Sequence, residues 1–279
     1  MKEFQLERMT WVDALRAFKE TQTVVIPTGS TEQHGPHMPL GTDFMVASRL
    51  AKMVGERANV IVIPTLPFGY AKYHTDFPGT LAIEQTTLAQ VLMDICDDLL
   101  RYGAKRILVI NGHGGNLPSL HRVGAYLRRR GVLMAIASWW KMVGALNPEW
   151  KAIGHGDYVE ASAILSIDQS LVRMERYKFP QAKPLTDNIS LDTPKNARFR
   201  DGIIEVNLRT RDMVDRGDMI EYGLSPGADY TIPTTMASKE RGDAMLNALA
   251  DYLEDFVKEF EKVSLPLVDN LLVQDESLL

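Results

Sequence analysis

The sequence has a single cysteine, Cys96, in 279 residues. An internal disulfide is therefore excluded, and so is a cysteine-rich zinc site. Cys96 falls in an amphipathic helical stretch, where a buried, inert thiol is expected. No run of 18 apolar residues occurs, so no membrane-spanning helix is expected. The opening MKEFQLERMT is too polar for a signal peptide. Lysine and arginine form no stripe that could track a phosphate backbone. The one basic cluster, Arg128-Arg129-Arg130, ends a predicted helix, where cations complement the helix dipole. The formal net charge is −5, which argues against nucleic acid and anionic membrane as partners. These absences leave the expectation of a cytoplasmic protein with a small-molecule ligand.

The rest is an ordinary globular composition, 45% hydrophobic and 24% charged. At roughly 100–200 residues per domain the chain makes one large domain or two small ones. It can bury about 70–75% of its unfolded surface without covalent staples. Short apolar runs alternate with helical patterns. Thr23–Pro27, Val60–Pro64, Arg106–Ile110 and Val132–Ala137 read as strands. They are continuously apolar, as parallel strands covered on both faces are. Helices are expected over Phe44–Arg57, from Thr87 (with Gln90 as a capping-box partner) to Gly103, to about Arg130, and over Ser238–Lys262. Met245, Leu249, Tyr252, Leu253, Phe256 and Phe260 make the apolar face of the last. The β-α-β-α order implies a layered α/β domain with right-handed crossovers. A polar, irregular excursion over about 175–222 interrupts it, inside what is read as a single domain over 1–279.

Ligands of an open parallel sheet bind beyond the carboxyl ends of its strands. The segments that follow the strands are GSTEQHGPHMPLGTD (29–43), GYAKYHTDFPGT (69–80), NGHGGN (111–116) and Ser138-Trp139-Trp140. Of six histidines, His34, His37, His74 and His113 lie there, His155 opens HGDYVEAS, and only His121 is in a predicted helix. Imidazole mixed with carboxylate is the ligand chemistry of Zn²⁺, Mn²⁺ or Fe²⁺. Glu32 and His34, two apart, can share one side of an extended segment. Asp43 follows a turn that can fold it back, and His113 stands between glycines. A metal there would polarise a carbonyl and bring the pKa of bound water to about 7.

Plainer readings compete. Glu32, His34 and His37 can be ordinary loop residues. Asp43 can N-cap the helix at Phe44. NGHGGN can cradle phosphate, although Leu117 stands where a fingerprint glycine belongs and no Walker lysine is present. Asp157 can be an N-cap with Glu160 as its capping-box partner. Trp139 and Trp140 can be core or interface residues.

GSTEQHGPHMPLGTD, FPGT, NGHGGN, HGDYVEAS and the closing SPGADYTIPTTMASKERGDAML together resemble the creatininase (creatinine amidohydrolase) family, from about Thr23 to the last helix. The resemblance implies a three-layer α/β/α fold with a mostly parallel sheet, one or two divalent metals per chain and a homohexamer. It implies Glu32, His34, Asp43, His113 and Glu160 as metal ligands, Asp43 as the bridging carboxylate if two metals bind, and His155 in proton transfer, with Glu160 beside it in the catalytic group. The departures are specific. Gly115 replaces the glutamate that creatininase carries two residues after the NGH histidine, so Glu160 would supply that ligand. Tyr73 and Tyr158 replace motif glutamates, and Ala161 a threonine. These point away from creatinine. A neutral, polar ring is expected instead, contacted by Tyr73, His74 and Tyr158 and walled by Trp139 and Trp140. The leading expectation is hydrolysis of a C–N bond in a cyclic amide or formamide. The alternatives are C–C ring opening of a cyclic keto-inositol and, from another class, metal or ligand binding without turnover.

Overall fold

The computed structural model describes residues 1, 3–151, 154–178, 184–193, 196–217 and 233–265. Helix α1 (Trp11–Glu20) precedes β1 (Thr23–Thr28), α2 (Thr42–Ala58) and β2 (Ile61–Val62). Then come α3 (Gln85–Arg101), β3 (Arg106–Asn111), α4 (Leu117–Arg128), β4 (Leu133–Ser138), α5 (Trp139–Leu146) and α6 (Tyr158–Ile167). Strands β1 to β4 form one parallel sheet in the order β2-β1-β3-β4. The register aligns Thr28, Asn111 and Ser138 across the carboxyl edge. Every residue of β1 is buried. Val25, Leu108 and Ile110 face a core shared with α2, α6 and the long α8 (Lys239–Phe260). Val24, Ile26, Ile107 and Val109 face a second core with α3 and α4. Helices thus cover both faces, which is why the strands read as unbroken apolar runs.

Several boundaries differ from the sequence reading. Strand β2 is two residues long, and past it the chain keeps isolated bonds to β1, from Ile63 N–H to Val25 O and from Leu66 N–H to Pro27 O. Helix α3 starts at Gln85 with no side-chain cap. The Ile83 N–H bond to the Gly69 carbonyl keeps the chain extended up to Glu84, and Gln90 donates to Asp94 instead of closing a capping box. Trp139 and Trp140 begin a helix, α5. Tyr252 lies at the edge of the α8 stripe and is 49% exposed.

The described part of the excursion forms an antiparallel sheet of β5 (Ile189–Thr193), β6 (Asn196–Phe199) and β7 (Gly202–Glu205), followed by the short α7 (Thr210–Met213). Leu191, Ala197, Met213 and Val214 make its own small core. Residues 218–222 of the excursion and 225–232 of the closing motif lie outside the described residues. No helix among those described is long and apolar enough to cross a membrane.

Helix α8 lies against α6, and a Cβ on Gly242 would collide with the Ser162 carbonyl oxygen. Backbone atoms cannot yield as a side-chain tip can. Gly242→Ala should therefore cost about 1–3 kcal/mol of stability. Gly124→Ala in α4, whose methyl meets only the end of the Met134 side chain, should cost nothing or stabilise by up to about 1 kcal/mol. Thermal melts of the two variants check the contrast.

Candidate metal centre

Two strand ends and two helix starts deliver the polar residues to one place. β1 leads into Glu32 and His34. The first turn of α2 then returns beneath that loop carrying Asp43. A Cβ on Gly29 or on Gly112 would strike the backbone of Asp43 or Phe44, so glycine at both strand ends lets α2 sit directly on the sheet edge. Asp43 is inside the helix, with Gly41 as the N-cap residue and no side-chain cap bond. Its carboxylate is therefore free to face the sheet edge. His113 follows β3, and His155 and Glu160 come from the loop and first turn at α6.

Glu32, His34, Asp43, His74, His113 and Glu160 are all buried, from 0% to 8% exposed. The Asp43 carboxylate lies between two imidazoles, with Oδ1 2.9 Å from His34 Nε2 and Oδ2 3.0 Å from His113 Nδ1. Ser30 Oγ donates to Oδ2 at 2.8 Å. Glu32 Oε2 is 3.2 Å from His113 Nδ1. Glu32 Oε1 is 3.5 Å from His74 Nε2 and 3.7 Å from His155 Nε2. Glu160 Oε2 is 3.8 Å from His34 Nε2. The outer nitrogens are held by carbonyls: His34 Nδ1–H donates to Glu32 O at 3.1 Å and His113 Nε2–H to Tyr70 O at 2.8 Å. This turns His34 Nε2 and His113 Nδ1 inward, the usual way a ligating histidine is oriented. His155 Nε2–H donates to Gln33 O at 2.6 Å, and its ring stacks on His34 and His74 with centroids 4.1 and 4.7 Å away.

Ligand atoms of Glu32, Asp43 and His113 lie within 4.8 Å of one another, and so do those of His34, Asp43 and Glu160. Asp43 is common to both sets. Both Glu32 oxygens are buried with no hydrogen-bond partner. A carboxylate in that state is costly unless a cation meets it. The donor set, two inward imidazole nitrogens and three carboxylates, therefore fits one or two divalent ions.

The electrostatics agree. Burial alone would lower the His34 imidazole, but Asp43, Glu160 and Glu32 around it push it up to about 10. His113 is likewise raised against burial by Glu32 and Asp43. Asp43 is held well below the carboxylate range, against burial, by His34 and His113. Burial, with Asp157 and Asp43, pushes Glu160 up to about 8 despite His34 and the Gly156 N–H. Burial lowers His74 and His155, and neighbouring imidazoles add to it, so both rings stay neutral.

Asp157 does N-cap α6, accepting from Val159 and Glu160 N–H. Glu160 does not complete a capping box; its Oε2 accepts from Gly156 N–H at 2.6 Å and turns toward His34. His37 lies outside the cluster and donates from Nε2 to Gly156 O at 3.0 Å, which supports the His155 loop. Tyr73 places its hydroxyl 3.2 Å from His113 Nε2. Trp140 is half-buried beside Gly114. Three expected substrate contacts are corrected. Trp139 is 1% exposed and belongs to the core under α5. Tyr158 is 2% exposed in the same core, and its hydroxyl is committed to the Glu149 and Lys151 carbonyls. Both begin helices packed on the sheet, which turns their rings inward. His74 sits deeper than a substrate contact, with Nε2 against Glu32. Sequence reasoning missed Thr210, whose hydroxyl is 2.6 Å from His74 Nδ1, and Gln33, whose amide reaches the same nitrogen at 2.8 Å. Gln33 stands between two candidate ligands and could have been suspected. Nothing in the local sequence marks Thr210.

A family profile described as creatininase, creatinine amidohydrolase, matches residues 7–257. The mycofactocin precursor peptide peptidase of Mycobacterium tuberculosis is 31% identical over 173 residues, 58% of this chain. The chain spans only 65% of that relative's length. The 3-dehydro-scyllo-inosose hydrolase of Thermotoga maritima is 25% identical over 271 residues, covering 91% of this chain and 82% of that protein. A solved structure described as creatininase Mn superposes with a TM-score of 0.67 at 24% identity, covering 94% of this chain and all of that one. That likeness is one of fold.

His37 yields a pH prediction. Burial lowers it to about 4, against about 6.5 in the unfolded chain. The unfolded state therefore binds the extra proton between those values, so stability is full above pH 6.5 and falls as the pH drops toward 4. The loss reaches about 3 kcal/mol. His37→Gln should show a shallower decline over that window. Equal acid slopes in melts of the two proteins would contradict the assignment.

Proposed function

This chain belongs to the creatininase family, and on that premise we propose that it is a metal-dependent hydrolase that directs water at a carbonyl carbon of a small polar substrate. The observation that carries the reading is Glu32, a fully buried carboxylate with neither oxygen hydrogen-bonded, set among imidazoles. One or two ions of Zn²⁺, Mn²⁺ or Fe²⁺ are proposed. Glu32, Asp43 and His113 would hold one, and His34, Asp43 and Glu160 the other, with Asp43 shared. When bound, such an ion supplies Lewis-acid polarisation of the carbonyl and lowers the pKa of a water ligand to about 7.

The chain's own residues supply the rest. With its Nε2–H on the Gln33 carbonyl, His155 keeps Nδ1 as its basic nitrogen. Held neutral by burial, it accepts a proton from the attacking water and returns it to the leaving group, a role typically contributing about 10²–10⁴-fold. Glu160 must lose the proton that its buried position favours before it can act as a ligand. Tyr73 and Trp140 form the substrate side. A homohexamer is part of the proposal.

Two readings of the scissile bond stand. The first is a C–N bond, in a cyclic amide or formamide; the family description and the peptidase relative support it. The second is the C–C bond beside a ring ketone in a keto-inositol. The specific observation behind it is the inosose hydrolase match, which runs over 91% of this chain against 58% for the peptidase. Creatinine, although a cyclic amide, is not the substrate proposed. A Cβ on Gly115 would collide with the Tyr70 carbonyl and with His113, so the creatininase glutamate has no room here.

Metal-stripped protein reconstituted with each ion and assayed on lactams, formamides, keto-inositols and creatinine tests the proposal. Turnover should require metal, and creatinine should stay well below a kcat/KM of about 10⁴ M⁻¹s⁻¹. Full activity in metal-free protein would overturn the hydrolase reading as stated. Metal uptake without turnover on any substrate class would favour a binding protein.

A further inference from the structure

We propose that Thr210 is a positioning residue for the metal centre: from the excursion it holds the ring of His74, whose tautomer Gln33 sets, and His74 in turn orients Glu32. The inference rests on reading the cluster as a metal centre and goes beyond it.

The tautomer follows from hydrogen-bond accounting. Gly35 N–H donates to Gln33 Oε1 at 2.9 Å, which fixes the amide so that Gln33 Nε2 faces His74 Nδ1 at 2.8 Å. An amide N–H cannot face a ring N–H, so Nδ1 is bare and Nε2 carries the proton. Thr210 Oγ1, 2.6 Å from the same nitrogen, is then a second donor sharing that one lone pair. The opposite tautomer would leave a bare Nε2 facing Glu32 Oε1 at 3.5 Å, lone pair against carboxylate in a buried site. His74 thus differs from His34 and His113. Those two turn inward the nitrogens that would ligate an ion once deprotonated, whereas His74 turns an N–H toward Glu32, so it acts on that ligand rather than on the ion.

Thr210 reaches this point because the excursion is built to bring it there. Met213, in the same short helix, is anchored in the core of β5–β7. Arg209 pairs with Asp76 at 3.1 Å, next to the loop that carries His74. Gly217 lies so close to Gln33 that a Cβ there would strike its amide oxygen. Thr210 itself is fully buried. The excursion therefore orders two of the groups behind Glu32, and its docking is coupled to metal affinity. Groups behind a ligand typically change metal affinity by about 10–100-fold.

Mn²⁺ binding to the full chain, followed by the loss of free Mn²⁺ signal in electron paramagnetic resonance, tests this with a double-mutant cycle. Thr210→Val should weaken Mn²⁺ binding about 10-fold or more, and Thr210→Ser should restore it. His74→Phe should weaken it at least as much. The double variant should be no weaker than His74→Phe alone, because Thr210 acts through His74. Independently of any variant, long-range ¹H–¹⁵N spectra of the metal-free wild type should show His74 as the Nε2–H tautomer. An Nδ1–H tautomer, unchanged binding in Thr210→Val, or additive losses in the double variant would each overturn the proposal. A wild type that binds no Mn²⁺ would instead overturn the metal-centre reading beneath it.

Discussion

Two carboxylates, Glu32 and Asp43, are held at 0% and 3% exposure within contact distance of three imidazoles. Isolated charges of this kind are not tolerated in an apolar interior without a partner of opposite sign. That requirement organises the fold's polar end. The raised His34 and His113 and the depressed Asp43 are its electrostatic expression. In the absence of metal the carboxylates retain protons on the imidazoles. A bound cation would take the place of those protons, since ligands must be deprotonated to bind.

The scaffold makes this arrangement rigid. Parallel strands end level at Thr28, Asn111 and Ser138, so three loops leave the sheet at one edge. Glycines at 29 and 112 let α2 rest on that edge with Asp43 in its first turn. Helix α6, pinned by α8 through the close approach at Gly242, presents Glu160 from the opposite side. The ligand candidates thus come from four separate segments, so the site forms only when the layers are packed.

Much of this was legible in the sequence because unbroken apolar runs and glycine-framed histidines are local signals. The strand positions, the loops after them and the grouping of Glu32, His34, Asp43 and His113 follow from those signals. What was not legible depends on long-range contact. Tyr158 and Trp139 read as pocket residues, yet helix packing turns them into the core. His74 read as a substrate contact, yet its loop folds down onto Glu32. Thr210 lies 136 residues from His74 in sequence, and only the fold of the excursion joins them. A capping-box pattern misled at Thr87, where a β-bridge outweighed the local preference, and the competing box at Glu160 is not closed because that carboxylate turns into the buried cluster.

The central claim is that a cation replaces protons held by the buried carboxylates. It is tested most directly by calorimetric titration of Mn²⁺ into metal-free protein at pH 8, in buffers of different ionisation enthalpy. His34, pushed up to about 10, is protonated at that pH, so binding should release at least about one proton per chain. Tight binding with no proton release would contradict the account.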